Sequence, residues 1–200
     1  MTNLQKIRRL TQAVGEATGS QPADLTEAVQ TALDIAHTRT DDMIAGVALG
    51  NYENDRLTTV RQRAFSHYAD IQSVHLPNAT ELGEAAFEYS GVQWAVLENA
   101  TWLSFYTFRG CQNLRTVYLG TPCMIEEYAF ADCSNLTTLV LDGEEVFYMF
   151  EKNILENTPL SKGEGHIYVP ENLINKYIAV LPWGVYASRF TPLSEWEGNL

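Results

Sequence analysis

Apolar residues recur along the middle of the chain with a nearly constant period. Four phenylalanines, Phe65, Phe87, Phe108 and Phe130, follow one another at intervals of 22, 21 and 22 residues. Each is followed by a short stretch of alternating apolar residues that ends in leucine, as at residues 117–119. Such alternation indicates a strand with one buried face. Because a unit this short cannot bury its own apolar face, the period predicts stacked units that share one core, which is a solenoid.

Equivalent residues of stacked units form ladders, since neighbouring strands lie about 4.8 Å apart. The four phenylalanines form one predicted internal ladder. A second predicted ladder consists of Tyr68, Ser90, Cys111 and Cys133. A further apolar residue precedes each phenylalanine, and these are Val60, Leu82, Leu103 and Ile125. The pattern therefore predicts about four repeats over residues 57–142, each with two short apolar stretches.

Two short amphipathic helices are predicted before the repeats. Apolar residues share one face of each helix, and they are Leu4, Ile7 and Val14 in the first and Leu25, Val29 and Leu33 in the second. Helices this short are marginal alone, so they must pack on something. Residues 1–38 thus predict a helical hairpin for attachment or oligomerisation, joined to the repeats by a connector at residues 39–56.

The end of the chain predicts a cap for the repeats, because a solenoid needs its open end covered. Within residues 143–200, Ile167–Val169 reads as a strand and Glu171–Leu181 as a helix that Pro182 ends. We expect three aromatic residues to pack over the end of the stack, namely Trp183, Tyr186 and Phe190. The predicted fold class is α+β, with an N-terminal helical hairpin, a short β-solenoid and a C-terminal strand-helix cap.

Composition and charge narrow the classes of partner. Hydrophobic residues make up 46% and charged residues 19% of the 200 residues, and the net charge is -12. This acidity argues against nucleic acid and against an anionic membrane surface as partners. The chain has no apolar run of the length that a membrane span needs. The N-terminus has no charged stretch followed by an apolar run, which predicts no secretory signal.

We find no constellation that indicates catalysis, a cofactor or a metal. The four histidines fall in no recognisable motif, and adjacent acidic pairs such as Glu126-Glu127 point to opposite faces of a strand. Cys111, Cys123 and Cys133 are spaced unlike zinc ligands. Buried thiols that fill small slots in the ladder are the favoured interpretation for Cys111 and Cys133, and a disulfide between them is the alternative.

Candidate binding residues lie at repeat positions predicted to face outward. They are His75, Trp94, Phe105, Tyr106, Tyr118 and Tyr128. Val96 and Val140 are predicted to lie in the same outward ladder as His75 and Tyr118. Exposed aromatic residues on a solenoid indicate recognition of a protein or a sugar. Coverage by flanking loops and a contact between identical subunits are the alternatives.

The third and fourth units read small-Phe-x-x-Cys-x-x-Leu-x-x-Val/Leu-x-Leu, at residues 107–119 and 129–141. This pattern resembles the BspA-like leucine-rich repeats over Leu57–Asp142 and implies a leucine-rich-repeat-type β-solenoid. A ladder of the asparagines that bond the turn in other leucine-rich repeats is not apparent in the sequence. Residues 4–33, with Ala17-Thr18-Gly19, resemble a leader found in proteins encoded by phages and prophages of Gram-positive gut bacteria.

Together these resemblances imply a non-enzymatic virion or tail-associated protein, made in the host cytoplasm and located in the virion. Its expected partner is a host surface receptor or another virion protein, with carbohydrate as a further ligand class. We expect a homo-oligomer, with a trimer favoured, and no cofactor. Two alternatives stay open: a BspA-like adhesin on a bacterial surface, and an enzyme whose site the sequence does not reveal.

Overall fold

A computed structural model of the protein describes residues 50–198. The predicted helical hairpin of residues 1–38, including its six apolar face residues, lies outside the described residues. Most of the predicted connector at residues 39–56 lies outside them as well.

The described residues form a solenoid whose coils contribute short parallel strands to two sheets. In this part of the chain the first sheet has seven strands, in the order β1 (Asn51–Glu53), β3 (Ser73–His75), β5 (Trp94–Leu97), β7 (Thr116–Leu119), β9 (Thr138–Leu141), β11 (His166–Val169) and β12 (Phe190–Pro192). The second sheet has five described strands, in the order β10 (Tyr148–Met149), β8 (Met124–Ile125), β6 (Trp102–Leu103), β4 (Glu81–Leu82) and β2 (Thr59–Val60). The predicted solenoid is therefore confirmed.

The described helices are short and lie towards the end of the chain. The described 3-10 helices are Lys152–Leu155, Leu160–Lys162, Glu171–Leu173, Trp183–Arg189 and Leu193–Glu195, and the described α-helix, α1, is Ile174–Ala179. The helix predicted over Glu171–Leu181 is thus a 3-10 turn followed by α1. It ends before Pro182, as expected of a residue that cannot continue a helix.

The phenylalanine ladder forms the centre of the core. Successive ring centroids from Phe65 to Phe130 lie 5.0, 5.1 and 5.7 Å apart, with the rings nearly parallel. Phe87, Phe108 and Phe130 are completely buried, and Phe65 in the first described coil is half-buried against Tyr52. Stacked rings at this separation combine burial of large apolar surface with favourable ring contacts.

The second predicted ladder is confirmed at three of its four positions. Ser90, Cys111 and Cys133 are buried, and each thiol donates a hydrogen bond to a carbonyl of the coil before it, at 2.9 and 3.1 Å. All three cysteines of the chain are free thiols. The prediction is wrong at Tyr68, which is 38% exposed. A phenol ring does not fit a slot in which a hydroxyl or thiol lies against the backbone, so it turns to solvent.

A ladder of turn asparagines is present after all in the first coils, which corrects the expectation from the sequence. The Asn78 side chain donates to the Asp55 carbonyl and the Asn99 side chain to the Pro77 carbonyl, both at 2.7 Å. Each bond joins one coil to the coil before it at the corner after the first sheet. The next two coils have Thr121 and Gly143 at the equivalent position, which hid the ladder from a search for an invariant asparagine.

Backbone conformation repeats from coil to coil, as the core residues do. Arg63, Ala85, Tyr106 and Tyr128 occupy one coil position, and their φ angles lie between 54° and 61°. A left-handed conformation costs a residue other than glycine about 1–2 kcal/mol. The stacked turns offset this cost with hydrogen bonds between coils, for example from Phe87 N–H to the Thr107 carbonyl at 2.8 Å.

The cap closes the stack with aromatic residues, as the sequence indicates. Trp183 and Tyr186 are buried, and Phe190 is half-buried with its ring centroid 6.2 Å from that of Trp183. The Trp183 indole donates to the Phe147 carbonyl at 2.6 Å, and the Tyr177 hydroxyl accepts from the Phe147 N–H at 3.2 Å. Both backbone polar groups of Phe147 are therefore satisfied by side chains of the cap.

The phenylalanine ladder generates a stability prediction. Phe108→Ala should lower the free energy of unfolding by about 3–5 kcal/mol, because it leaves a cavity in the centre of the stack. Phe105→Ala, on the same coil and 40% exposed, is the matched control and should change it by less than about 0.5 kcal/mol. Urea denaturation monitored by circular dichroism measures both. Similar losses for the two variants would contradict the assignment of the ladder as the core.

Two glycines at the start of the cap generate a second stability prediction. Gly163 and Gly165 both have left-handed φ angles, of 92° and 77°. A Cβ at Gly165 would lie 2.1 Å from the Thr137 carbonyl oxygen, whereas a Cβ at Gly163 would have no atom within 4 Å. Gly163→Ala should cost about 1–2 kcal/mol from backbone conformation alone. Gly165→Ala should cost about 1–3 kcal/mol more. Equal shifts of the thermal midpoint in the two variants would refute the close approach of Gly165 to the Thr137 backbone.

Candidate binding surface

The six candidate binding residues fall on two different sides of the solenoid. His75, Trp94 and Tyr118 are in β3, β5 and β7 of the first sheet. Phe105, Tyr106 and Tyr128 are in the turns that follow strands of the second sheet. Each group is brought together by register between neighbouring coils, and the two groups do not form one continuous surface.

His75 on the first sheet is held between two carboxylates. Its ring nitrogens lie 3.1 Å from Glu53 and 2.9 Å from Glu98, which belong to the coils on either side. Partial burial lowers the pKa of His75, but hydrogen bonds and attraction from Glu98 and Glu53 outweigh burial, so that the pKa is raised overall. His75 therefore ties three coils together at the surface.

Tyr118 and its neighbours on the first sheet are largely covered. The Tyr118 hydroxyl donates to Asp142 at 2.8 Å, and Trp196 stacks on its ring with centroids 5.6 Å apart. Burial, together with the negative charge of Asp142, raises the pKa of Tyr118 to about 12. Val96 and Val140 are buried, so the expectation that both are exposed is wrong. Tyr118 lies beside both valines in the strand register and Trp196 folds back over it, which shields this face from solvent.

In the second group Phe105 is exposed, whereas Tyr106 and Tyr128 are half-buried. The rings of Tyr106 and Tyr128 stack with centroids 5.6 Å apart, and Phe105 lies beside Tyr106. Arg109 lies over the Tyr106 ring at 5.3 Å, a cation–π geometry. Its guanidinium also pairs with Asp132 at 3.4 Å and, more weakly, with Glu88 at 3.8 Å. This network holds the aromatic rings in fixed positions.

A shallow cleft of about 360 Å³ opens beside the stacked tyrosines. Its lining residues are Tyr106, Arg109, Tyr128, Asp132, Glu156 and Asn157. The Asn157 amide donates to Asp132 at 2.8 Å, which fixes the carboxylate that also contacts Arg109. The lining offers charged and amide groups beside aromatic rings, which suits polar contacts at the rim of an interface.

The sequence interpretation missed a second set of exposed apolar residues. Trp102, Met124 and Tyr148 are in register on the outward side of the second sheet and are 44%, 39% and 58% exposed. Phe150 is also exposed, and its ring meets that of Tyr148 edge-on at 5.1 Å. The sequence pattern does indicate this exposure. Trp102 and Met124 directly precede the buried Leu103 and Ile125, and side chains alternate between the two faces of a strand.

These residues and the turn group share the same three coils, and together they define the aromatic face. Its members are Trp102, Phe105, Tyr106, Met124, Tyr128, Tyr148 and Phe150. Monomeric proteins rarely expose so many large apolar side chains side by side, and such patches mark sites of interaction.

The buried thiols do not offer a reactive site. Burial raises the pKa of Cys111 to about 11 and that of Cys123 to about 12, and it raises the pKa of Cys133 well above its ordinary value. The thiolate is the nucleophilic form, so these groups stay protonated and inert at neutral pH. Within the described part of the chain, no group of three His, Cys, Asp or Glu residues is arranged to hold a metal ion.

Comparison with known proteins identifies the family. The family model of the BspA type leucine rich repeat region matches residues 52–173, in six copies. This match covers more than half of the chain, and the protein therefore belongs to the BspA-type leucine-rich repeat family. The six copies are two more than the four units that align on the phenylalanines. No curated protein matches the chain in a sequence search.

The family is typically a non-enzymatic binding scaffold, and it suggests a role in protein–protein interaction or adhesion. Among the helices that the structure describes, none has the length and apolar character to cross a membrane.

The position of His75 between two carboxylates generates a pH prediction. A raised pKa in the folded protein means that the imidazolium stabilises the fold fully below the unfolded value of 6.5, and that this stability is lost as pH rises through the folded pKa. His75→Gln should therefore destabilise the protein more at about pH 6 than at about pH 8.5. Urea denaturation of both proteins at each pH measures the difference. A destabilisation independent of pH would contradict the charged bridge.

Proposed function

We propose that the chain is a non-enzymatic structural or adhesion component of a phage virion. In this proposal it binds a protein of the host surface, or another virion protein, through the aromatic face. The exposed Phe105 beside the half-buried, stacked rings of Tyr106 and Tyr128 is the observation that carries the proposal. Tyrosine, tryptophan and phenylalanine contribute much of the binding energy at protein interfaces, because they bury large areas at low conformational cost.

The rigidity of the support favours binding by the aromatic face. Backbone hydrogen bonds between coils support the face, as from Tyr106 N–H to the Glu127 carbonyl at 3.3 Å and from Tyr148 N–H to the Cys123 carbonyl at 3.0 Å. A surface that is already ordered loses little entropy when it binds. The first-sheet group of His75, Trp94 and Tyr118 stays a prediction, with less free surface because Trp196 stacks on Tyr118.

The virion context is supported by the resemblance of residues 4–33 to a phage-encoded leader. Attachment or homo-oligomerisation through the hairpin of residues 1–38 stays part of the proposal. Adhesion at a bacterial surface is the second candidate, and it is favoured by the family, which suggests adhesion. The two candidates use the same aromatic face and differ in where the protein is found.

Purified particles test the proposal. Mass spectrometry of gradient-purified phage from the producing strain should detect the chain in an amount comparable to other minor virion proteins. Detection in the cell-wall fraction, with none in the particles, would refute the virion role and favour the adhesin.

Particles that carry Tyr106→Asn and Tyr128→Asn test the face itself. Asparagine tolerates the left-handed backbone of both positions, so the turn should be preserved. Adsorption to host cells, or incorporation into the particle, should fall at least about tenfold, which corresponds to about 1.4 kcal/mol of lost binding. Tyr68→Asn, an exposed tyrosine of the first coil, is the matched control. Unchanged adsorption and incorporation in the double variant would contradict the assigned face.

A further inference from the structure

We propose that the aromatic face binds a cationic, apolar segment of a protein, whose Lys or Arg side chains pair with carboxylates interleaved with the aromatic residues. This inference rests on the proposed function and specifies the chemistry of its partner. Four features of the face carry it: the apolar ladder, the carboxylates in register with it, one further carboxylate that is largely buried, and the pairing of the adjacent arginine.

The apolar ladder sets the size of the segment. Trp102, Met124 and Tyr148 follow one another on β6, β8 and β10, so that they span two strand spacings, about 10 Å. A helix presents apolar residues at positions i, i+4 and i+7 over about 10 Å, since it rises 1.5 Å per residue. Two turns of an amphipathic helix therefore match the length of the ladder, and this is a common way for a groove or face to bind a peptide.

Carboxylates occupy the position of Phe105 on the neighbouring coils. Register between the coils places Glu84 before Phe105, and Glu127 and Glu151 after it. Glu81 is paired in register with Trp102 on the next strand. Glu127 and Glu151 thus lie on coils of the aromatic face, and Glu81 and Glu84 lie on the coil before it. A partner that covers the apolar residues must come close to several negative charges.

Glu126 adds a further carboxylate to this side of the second sheet. It follows Met124 and the buried Ile125, so that alternation turns it to the outward side, where its equivalents are Ser104 and Phe150. The residue is only 6% exposed, but its carboxylate oxygens are not among the fully buried atoms that lack a hydrogen-bond partner. Burial, with the adjacent charge of Glu127, raises its pKa. A Lys or Arg from a bound segment would pair with this carboxylate and offset the cost of its burial.

Arg109, a described cation beside the aromatic face, is already engaged. Arg109 pairs with Asp132 and Glu88 and lies over the Tyr106 ring. Arg61 and Arg63 belong to the first coil, two coils before Trp102. The chain as a whole has a net charge of -12, which attracts a cationic segment at long range and accelerates its association.

Three synthetic peptides test the inference on the full chain. All have the same three apolar residues at positions i, i+4 and i+7 of a designed helix, with the remaining positions made lysine-rich, glutamate-rich or neutral. Fluorescence anisotropy of the labelled peptides gives their Kd values at about 50 mM and about 200 mM salt, since exposed charges are screened at the higher concentration. The lysine-rich peptide should bind at least about tenfold more tightly than the other two at low salt.

Variants of the aromatic face separate the apolar contribution to peptide binding from the contribution of the carboxylates. Trp102→Thr with Tyr148→Thr should weaken binding of the lysine-rich peptide at least about tenfold, and threonine is the residue that the first coil has at this position, as Thr59. Glu126→Gln with Glu127→Gln should weaken it by a similar factor and reduce its salt dependence. Leu181→Thr and Glu164→Gln, exposed residues of the cap, are the matched controls and should leave the Kd unchanged.

Several outcomes would overturn the inference. Equal Kd values for the three peptides would exclude selection by charge, and binding that survives Trp102→Thr with Tyr148→Thr would place it elsewhere on the acidic surface. Light scattering that shows self-association lost in that variant would assign the face to a second copy of the chain. Failure of the peptides together with loss of adsorption by the Tyr106→Asn, Tyr128→Asn particles would refute this inference and leave the proposed function standing. Unchanged thermal midpoints establish that each variant is folded.

Discussion

The structure depends on contacts between each residue and its equivalent on the next coil. A single coil has too little apolar surface to fold alone, so its strands, turns and core residues are stable only as part of the stack. The backbone hydrogen bonds within both sheets, the parallel phenylalanine rings and the thiols bonded to carbonyls all connect one coil to the next. Even the left-handed turn residues persist because neighbouring turns bond to each other. Side chains on the outside are therefore positioned by the same register as those in the core.

The repeated positions were the part of this molecule that sequence could predict. Phe87, Phe108 and Phe130 repeat closely enough to reveal the core ladder, and alternation around Leu119 and Leu141 reveals strands of the first sheet. Tyr68 shows where this reasoning fails, because alignment assigns it to a slot that its ring is too large to enter. The asparagine ladder at Asn78 and Asn99 was missed because only the first coils have it.

The exposed residues were harder to predict, because coverage depends on distant parts of the chain. Val140 is buried beside Tyr118, and Trp196, which lies more than fifty residues further along the chain, covers the Tyr118 ring. No local sequence pattern indicates this contact. Trp102 and Tyr148 are the opposite case, because they are exposed although their apolar side chains are typical of a core. The alternation that turned them outward was visible, but their apolar character favours assignment to the core. Residue type alone does not show whether an aromatic ring of a ladder belongs to the core or to the binding surface. The side of the strand to which the side chain points decides it.

The cap has a consequence for how this kind of protein changes its length. Tyr177 and Trp183 take both polar groups of the Phe147 backbone, so the closing segment recognises main-chain atoms of the last coil as well as its side chains. Any coil that presents the same backbone at that point can be closed in the same way. Duplication or loss of an internal unit would then leave both termini of the array intact. The width of the outer surface would change in steps of one strand spacing, which gives evolution a simple means to match it to partners of different size.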